Sequence, residues 1–176
     1  MKSMRSLFAS LICTSAVMAG GGAMADTVAH ADASFMKDAA HAGELEIEGS
    51  KLALTKSSSP EVKKFAQMII DDHTKAGQAL GTLAAAKGVK IADDPSLTQK
   101  AKLKMLGTHD GAKFDAKYAE TIGVDAHQDA VKLFTKASTD AKDPDVKAFA
   151  AKTLPTLQHH LEMAQQLKAA TAAAAK

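Results

Sequence analysis

Cysteine, arginine and large aromatic side chains are scarce in this chain of 176 residues, which has one Cys, one Tyr and no Trp. The only Cys and the only Arg, Cys13 and Arg5, lie within the first 25 residues. The chain after residue 25 has no cysteine, which excludes thiol catalysis, disulfide bonds and a zinc site with cysteine ligands there. It also lacks the planar guanidinium that proteins use to bind phosphates and base edges, which argues against a nucleic-acid partner.

The first 25 residues have the features of a cleavable secretory signal peptide. Two basic residues precede an apolar run, Leu7 to Met18, which is shorter than the roughly 20 residues that a membrane-spanning helix needs. Small residues at Ala23 and Ala25 match the positions that signal peptidase reads, so we expect cleavage before Asp26. This interpretation predicts an exported protein, either periplasmic or secreted.

A lipoprotein signal with Cys13 as the lipidated residue is the alternative interpretation of this segment. Ile12 stands where a lipoprotein signal has a small residue, and the apolar run continues past the cysteine. We therefore favour the cleaved signal peptide over the lipid anchor.

Cleavage before Asp26 changes the charge balance of the protein. The mature chain keeps 20 Lys and all 20 Asp and Glu, so its formal charge is zero instead of the +2 of the whole chain. The basic character of the precursor therefore gives no support to nucleic-acid binding. No other apolar run reaches membrane length, so we expect a soluble mature domain. Nothing in the sequence indicates a protein partner or an oligomeric state.

The mature chain is rich in Ala and Lys and poor in β-branched residues, a composition that favours helix over strand. Ser59 and Asp143 mark two helix starts, because each is followed by Pro and an acidic residue, and Gly88 marks a helix end. The pattern predicts four long helices at about residues 32–57, 60–88, 113–140 and 144–170, with a short helix at 96–106. An Ala-rich tail, residues 171–176, follows the last helix.

The sequence repeats itself at two helix starts, where PEVKKFA at residues 60–66 matches PDVKAFA at residues 144–150. The repeat indicates two helical hairpins of common design, joined by the long crossover that contains the short helix. This is the connectivity of a ferritin-like four-helix bundle. We therefore predict one all-α, ferritin-like domain over residues 26–170.

Several longer strings, among them ADASFMKDAA, SPEVKKFAQMIIDDH and KTLPTLQHHLEMA, resemble the exported bacterial family catalogued as domain of unknown function 4142. The resemblance covers about residues 31–167. It implies a ferritin-like helical bundle and no established activity. The stretch between Phe114 and His127 departs from the family pattern, because it is one residue longer.

Polar side chains that can bind metals lie on the inward faces when each helix is projected at about 100° per residue. They are Glu46 in the first helix, Asp72 and His73 in the second, His127 in the third and His160 in the fourth. All lie at similar distances from the hairpin turns, so we expect one polar layer across the middle of the bundle. In the third helix, Tyr118 and His127 fall on different faces, which predicts either a break or a π-bulge near Gly123.

Two interpretations of this layer stay open at the level of sequence. Imidazole and carboxylate ligands suit a single Zn, Cu or Fe ion, which makes the layer a candidate metal site. The same groups can instead pair as ordinary buried polar residues, for example Glu46 with His160 and Asp72 with His127.

A di-iron ferroxidase is the less favoured form of a metal site. The Glu-x-x-His pairs of di-iron proteins are missing, because Ile70 and Leu157 lie three residues before His73 and His160. Three classes of function remain: a metal-binding or metal-dependent redox protein, a structural or stress-related envelope protein that acts through its surface, and a hydrolase. The hydrolase has the least support, since no nucleophile-and-base motif is visible.

Overall fold

A computed structural model describes residues 28–174, and almost all of them are helical. The elements in chain order are α1 (His30–Lys56), α2 (Pro60–Ala86), α3 (Leu97–Leu106), α4 (Gly111–Tyr118), a π-helical segment (Ala119–Ala126), α5 (His127–Asp140) and α6 (Pro144–Ala174). The described part of the chain contains no β-strand, which confirms the predicted all-α class. The predicted signal peptide and its cleavage site lie outside the described residues.

The predicted helix boundaries agree with the structure to within a few residues. The side chain of Ser59 accepts a hydrogen bond from the N–H of Val62 at 3.3 Å, and Asp143 accepts one from the N–H of Val146 at 3.2 Å. These caps satisfy backbone donors at the starts of α2 and α6. Past the end of α2, Gly88 adopts a left-handed φ of 67°. The prediction ended the last helix near Ala170, but α6 continues to Ala174.

The four long helices form two antiparallel hairpins. A three-residue turn joins α1 to α2, and a turn of similar length joins α5 to α6. The continuous helix formed by α4, the π-helical segment and α5 packs on α6 and α1, while α6 also packs on α2. The carboxylate of Asp32 accepts hydrogen bonds from the N–H groups of Lys142 and Asp143, at 3.0 and 2.7 Å, and so links the start of α1 to the second hairpin turn. The two hairpins therefore form the predicted ferritin-like four-helix bundle.

The crossover between the hairpins, residues 87–110, carries α3 and is fixed at several points. A capping box of Ser96 and Gln99 starts α3. The ring of His41 in α1 hydrogen-bonds the carbonyl of Asp94 at 3.0 Å, and Lys56 donates to the carbonyl of Gly107 at 2.7 Å. The crossover is therefore held against α1 on both sides of α3.

The apolar core is divided into two clusters by the polar residues of the mid-bundle layer. One cluster is centred on Phe65, Ile69, Phe114, Tyr118 and Ile122, and the other on Phe35, Met36, Leu80, Phe134 and Val146. The apolar patterns of α2 and α6 predict that Leu80 and Phe149 are both buried. Leu80 is buried, whereas Phe149 is only half-buried. Every long helix contributes to both clusters, so the polar residues between them lie at a common depth.

Candidate metal centre

Each long helix places at least one polar side chain between the two apolar clusters. The exposed fraction is 1% for Glu46, 7% for His73, 0% for His127 and 1% for His160, and the side chain of Asp72 is 37% exposed. The structure therefore brings all five predicted residues together in one layer. Projection of the second helix predicts Asp72 within the apolar face and His73 at its edge. The structure shows the reverse, with His73 inside the layer and Asp72 at its edge.

The π-helical segment is what turns His127 into the core. A π-turn holds one residue more than an α-turn, so the residues that follow it are rotated about the helix axis. Both Tyr118 before the segment and His127 after it are fully buried. Of the two predicted alternatives near Gly123, a break or a π-bulge, the structure has the second, as a π-helical segment over Ala119–Ala126.

Gly123 also permits the close packing of the π-helical segment on α6. A Cβ atom added at Gly123 would lie 3.1 Å from the Cβ of Ala164. A larger side chain here would push the segment away from α6, which carries His160. The π-helical segment and Gly123 therefore determine how far His127 lies from His160.

A chain of hydrogen bonds runs through four of the five residues. Nδ1 of His73 lies 3.0 Å from a carboxylate oxygen of Glu46, and Nε2 of His73 lies 3.3 Å from Nδ1 of His160. Nε2 of His160 lies 3.2 Å from the carboxylate of Asp72. The chain thus has a carboxylate at each end and two imidazoles between them.

The proton count of this chain is unusual. Its three hydrogen bonds need three ring protons, but two neutral imidazoles carry only one proton each. With both carboxylates ionised, one extra proton is therefore shared within the chain. His73 is the ring that carries it, because the charge and hydrogen bond of Glu46 outweigh burial and raise its pKa, whereas the pKa of His160 is lowered.

His127 stands beside this chain and is bonded differently. Its Nδ1 lies 3.0 Å from the carbonyl oxygen of Ile122, which can only accept, so Nδ1 carries the proton. Nε2 then holds a lone pair. That atom is buried and has no hydrogen-bond partner among the described residues, and the same is true of one oxygen of Glu46. An unpaired buried acceptor costs about 1–3 kcal/mol, which calls for a ligand or a compensating contact.

The pKa values of the four buried groups follow from burial and from their mutual charges. Burial alone would raise the pKa of Glu46, but the neighbouring His127 and His73 outweigh it and lower the pKa. Burial would likewise lower the pKa of His73, yet the charge and hydrogen bond of Glu46 raise it. Burial lowers the pKa of His127. Burial, together with His73 and His127, lowers the pKa of His160 to about 4.

The three imidazoles lie close enough to share one metal ion. A nitrogen of each of His73, His127 and His160 lies within 4.8 Å of the others. In a tetrahedral site with metal–nitrogen bonds of about 2.0–2.1 Å, two ligand nitrogens are about 3.3 Å apart. The pair formed by Nε2 of His73 and Nδ1 of His160 already has that spacing, at 3.3 Å. The nitrogen of His127 lies within 4.8 Å of this pair, so a bound metal would draw the three rings together.

The pairing of carboxylates with imidazoles differs from the sequence-based interpretation. Glu46 contacts His73 and not His160, and Asp72 contacts His160 and not His127. The predicted pairs were wrong because each would join two helices that do not pack closely on each other, α1 with α6 and α2 with α5. The actual pairs follow from which helices are neighbours, and α2 lies between α1 and α6.

Two features of the site had no clear signal in the sequence. The hydroxyl of Tyr118 hydrogen-bonds the buried Ser50 at 2.8 Å, which fixes α4 against α1 next to Glu46. The carbonyl of Ile122 orients His127. The sequence does not show that Tyr118 and Ser50 face each other. The contact with His127 is made by a backbone carbonyl, which no residue pattern in the sequence can indicate.

A cavity of about 320 Å³ leads to one side of the layer. Its walls include Leu80, Phe134 and Phe149, and the layer contributes Glu46, Asp72, His73 and His160. Carboxylates of Glu44 and Asp93 lie on the same wall. Burial and the adjacent Glu48 raise the pKa of Glu44, with further increases from Asp93 and Asp94. The region around this opening is therefore negative.

Comparisons with solved structures agree with the helical fold. A structure titled "Crystal structure of DUF305 fragment from Deinococcus radiodurans" has a TM-score of 0.71 and 14% identity, over 81% of this chain and 97% of that chain. A second, titled "CopM in the Cu(I)-bound form", has a TM-score of 0.64 and 21% identity, over 77% of this chain and 93% of that chain. At these identities the likeness concerns the fold.

Comparisons of sequence place the chain in a family but give it no activity. No curated protein matches the chain. Within the described residues, no helix is both long enough and apolar enough to cross a membrane. The family model described as "Domain of unknown function (DUF4142)" matches residues 17–167, which is most of the chain and includes the whole polar layer. The chain therefore belongs to the family of domain of unknown function 4142.

Proposed function

We propose that this protein binds one transition-metal ion through His73, His127 and His160 in the middle of the bundle. The observation that carries the proposal is Nε2 of His127, a buried lone pair without a partner among the described residues, next to two further imidazoles. Buried polar groups are normally satisfied, so an orphaned imidazole nitrogen in a cluster of three is the pattern of a ligand set.

Once the shared proton leaves, His73 and His160 each have one ring nitrogen with a lone pair that can bind a metal ion. Nδ1 of His73 donates to Glu46, which leaves its Nε2 free. Nε2 of His160 donates to Asp72, which leaves its Nδ1 free. The free nitrogens of these two rings are the two that lie 3.3 Å apart.

Each ligand ring therefore has an acceptor behind it. The acceptors are Glu46, Asp72 and the carbonyl of Ile122. Histidine ligands in metalloproteins usually donate their second N–H to a carboxylate or a carbonyl, which fixes the ring and strengthens it as a ligand. In this proposal Glu46 and Asp72 support the imidazoles, and binding of the metal releases the shared proton.

Copper is the metal that we expect to bind most tightly, ahead of zinc and iron. Imidazole suits Zn, Cu and Fe, and among divalent ions the general affinity order ends with copper. One of the structural neighbours is described as Cu(I)-bound, which supports the choice of copper for the first test. Three imidazoles without a bridging carboxylate pair favour one ion over a di-iron centre.

The proposal is tested by titrating the chelator-treated protein with Cu, Zn and Fe in competition with a chromophoric chelator. We expect one equivalent of copper to bind. His160→Ala should abolish binding, while His159→Ala on the exposed neighbouring residue should leave it unchanged. Glu46→Gln should weaken binding by about 10–100-fold, because it removes the acceptor behind His73. Binding that survives His160→Ala, or absence of uptake for all three metals, would contradict the proposal.

A second candidate function follows from the hydrogen-bond chain of Glu46, His73, His160 and Asp72. This chain satisfies most of the polar groups in the layer without a metal, as in a structural envelope protein that acts through its surface. It leaves Nε2 of His127 unexplained. Under this alternative, His160→Ala lowers the free energy of unfolding, and neither the wild-type protein nor the variant binds a metal.

We also propose that the protein works outside the cytoplasm. The support is the N-terminal sequence, with its basic start, its short apolar run and the small residues before Asp26. Fractionation of cells that express the whole chain tests this proposal. Recovery of the uncleaved chain in the cytoplasm would contradict it.

A further inference from the structure

We propose that the cavity beside the polar layer is a binding site for small organic cations, namely amines with an aromatic or branched aliphatic body. The proposal does not depend on a metal. It rests on the size of the cavity, the apolar side chains on its walls and the sign of the charges around it.

The cavity has the size and shape of a ligand site. Its volume of about 320 Å³ is within the range of about 300–1,000 Å³ that small-molecule sites occupy. It lies between α1, α2, α5 and α6, and residues 91–93 of the crossover form part of its wall. Helices of both hairpins therefore surround it, and the crossover fixes its edge.

The walls provide a surface for an apolar body. Phe134 and Phe149 are 5.9 Å apart between ring centroids and both line the cavity, together with Leu80 and Leu157. Phe149 is only half-buried, although its position on α6 predicts a core residue. An aromatic guest would cover this exposed part of the ring, and aromatic faces also attract organic cations.

The charges on the cavity wall favour a positive ligand. Four carboxylates line it, on Glu44, Glu46, Asp72 and Asp93, and no Lys does so among the described residues. Glu46 binds His73, and Asp72 binds His160 and lies 3.6 Å from Lys75. Among the described residues, Glu44 and Asp93 make no ion pair or side-chain hydrogen bond. Lys51 lies close enough to act on Glu44, but it is paired with Glu48 at 2.7 Å. These two carboxylates are therefore available to an ammonium group.

Glycines leave part of the cavity open and offer a way to block it. Gly43, Gly77 and Gly81 line the cavity, and a Cβ atom added at each would meet no atom within 4 Å. A leucine at Gly81 therefore has room for its Cβ atom, and its larger side chain occupies space at the wall of the cavity. The matched control is a leucine at Ala79, an exposed residue of α2 that does not line the cavity.

The experiment uses three probes with the same phenyl body and different head groups, added to chelator-treated protein. The probes are 2-phenylethylamine, 2-phenylethanol and 3-phenylpropionate, and binding is followed by calorimetry and by chemical-shift changes in NMR spectra. We expect the amine to bind at least about tenfold more tightly than the alcohol, and the carboxylate not to bind, because charge-assisted hydrogen bonds favour the ammonium.

Variants then locate the bound amine. Gly81→Leu should abolish amine binding and Ala79→Leu should not. Glu44→Gln should weaken binding by about tenfold, while Asp38→Asn, on an exposed residue of α1 that does not line the cavity, should have no effect. Equal affinity for the three probes, no binding of the amine, or full binding by Gly81→Leu would each overturn the proposal. A metal titration of the same samples reports separately on the imidazole site.

Discussion

The lowered pKa of His160 predicts a defined loss of stability in mild acid. The side chain is 1% exposed, and its pKa of about 4 lies below the value of about 6.5 that applies in the unfolded chain. As the pH falls below about 6.5, the unfolded state binds a proton that the folded state does not bind, so unfolding is favoured. For this one residue, linkage gives a loss of about 2 kcal/mol between about pH 7 and about pH 5.

Two neighbours also titrate in this range, with opposite signs. The lowered pKa of His127 adds to the loss, because that ring too is protonated more readily when the chain unfolds. The raised pKa of His73 acts against it, since its stabilisation is complete below the unfolded-state pKa and is lost only as the pH rises. A comparison with His160→Gln isolates the contribution of His160 from those of the other two rings.

Urea denaturation of the chelator-treated protein, followed by circular dichroism at about pH 7, 6 and 5, measures this difference. From about pH 7 to about pH 5, the free energy of unfolding should fall by about 2 kcal/mol more in the wild-type protein than in His160→Gln. His159→Gln, on the exposed neighbouring residue, should behave as the wild type does. An equal pH dependence in the wild type and in His160→Gln would refute the reasoning, because it would mean that His160 is protonated equally easily in the folded and unfolded states.

Three further predictions concern the core and the N-terminus. Tyr118→Phe leaves the buried hydroxyl of Ser50 without its 2.8 Å partner and should cost about 1–3 kcal/mol in urea denaturation. Ile69→Ala, at a fully buried position, should cost about 2–5 kcal/mol, whereas Met105→Ala, at a residue that is 70% exposed, should change stability by less than about 0.5 kcal/mol. Mass spectrometry of the exported protein should find Asp26 at its N-terminus, and an intact first methionine or a lipid-modified cysteine would contradict this.

The fold followed from the sequence because its signals are local and repeated. Caps at Ser59 and Asp143 mark helix starts, and the apolar pattern of each helix defines one buried face. The conflict in phase between Tyr118 and His127 predicted an irregularity between them, a break or a π-bulge, and the structure has the π-helical segment. Both residues are buried, as the corrected phase requires.

The candidate site was predicted less completely, because its details depend on which helices are neighbours. Helix phase alone placed Glu46, His127 and His160 in the core, but it could not tell which carboxylate meets which imidazole. The contact between Glu46 and His73 follows from the packing of α1 on α2. The acceptor behind His127 is a backbone carbonyl, which any residue at position 122 could supply, so no sequence pattern indicates it.

The cavity was not predicted, for a related reason. Glycines such as Gly77 and Gly81 on a helix indicate low helix propensity, but they do not show what lies opposite them. Open space appears only when α2 faces α1, α5 and α6 together. The half-exposed ring of Phe149 likewise reflects the distance between helices, which the apolar pattern does not specify.

A crystal structure of the copper-loaded protein, with anomalous scattering data at the copper edge, tests the metal proposal most directly. We predict one anomalous peak about 2.0–2.2 Å from a nitrogen of each of His73, His127 and His160, with Glu46 and Asp72 still bonded to the far side of their rings. A peak elsewhere on the molecule would contradict the proposal. So would the absence of any peak, with the hydrogen bond between His73 and His160 unchanged.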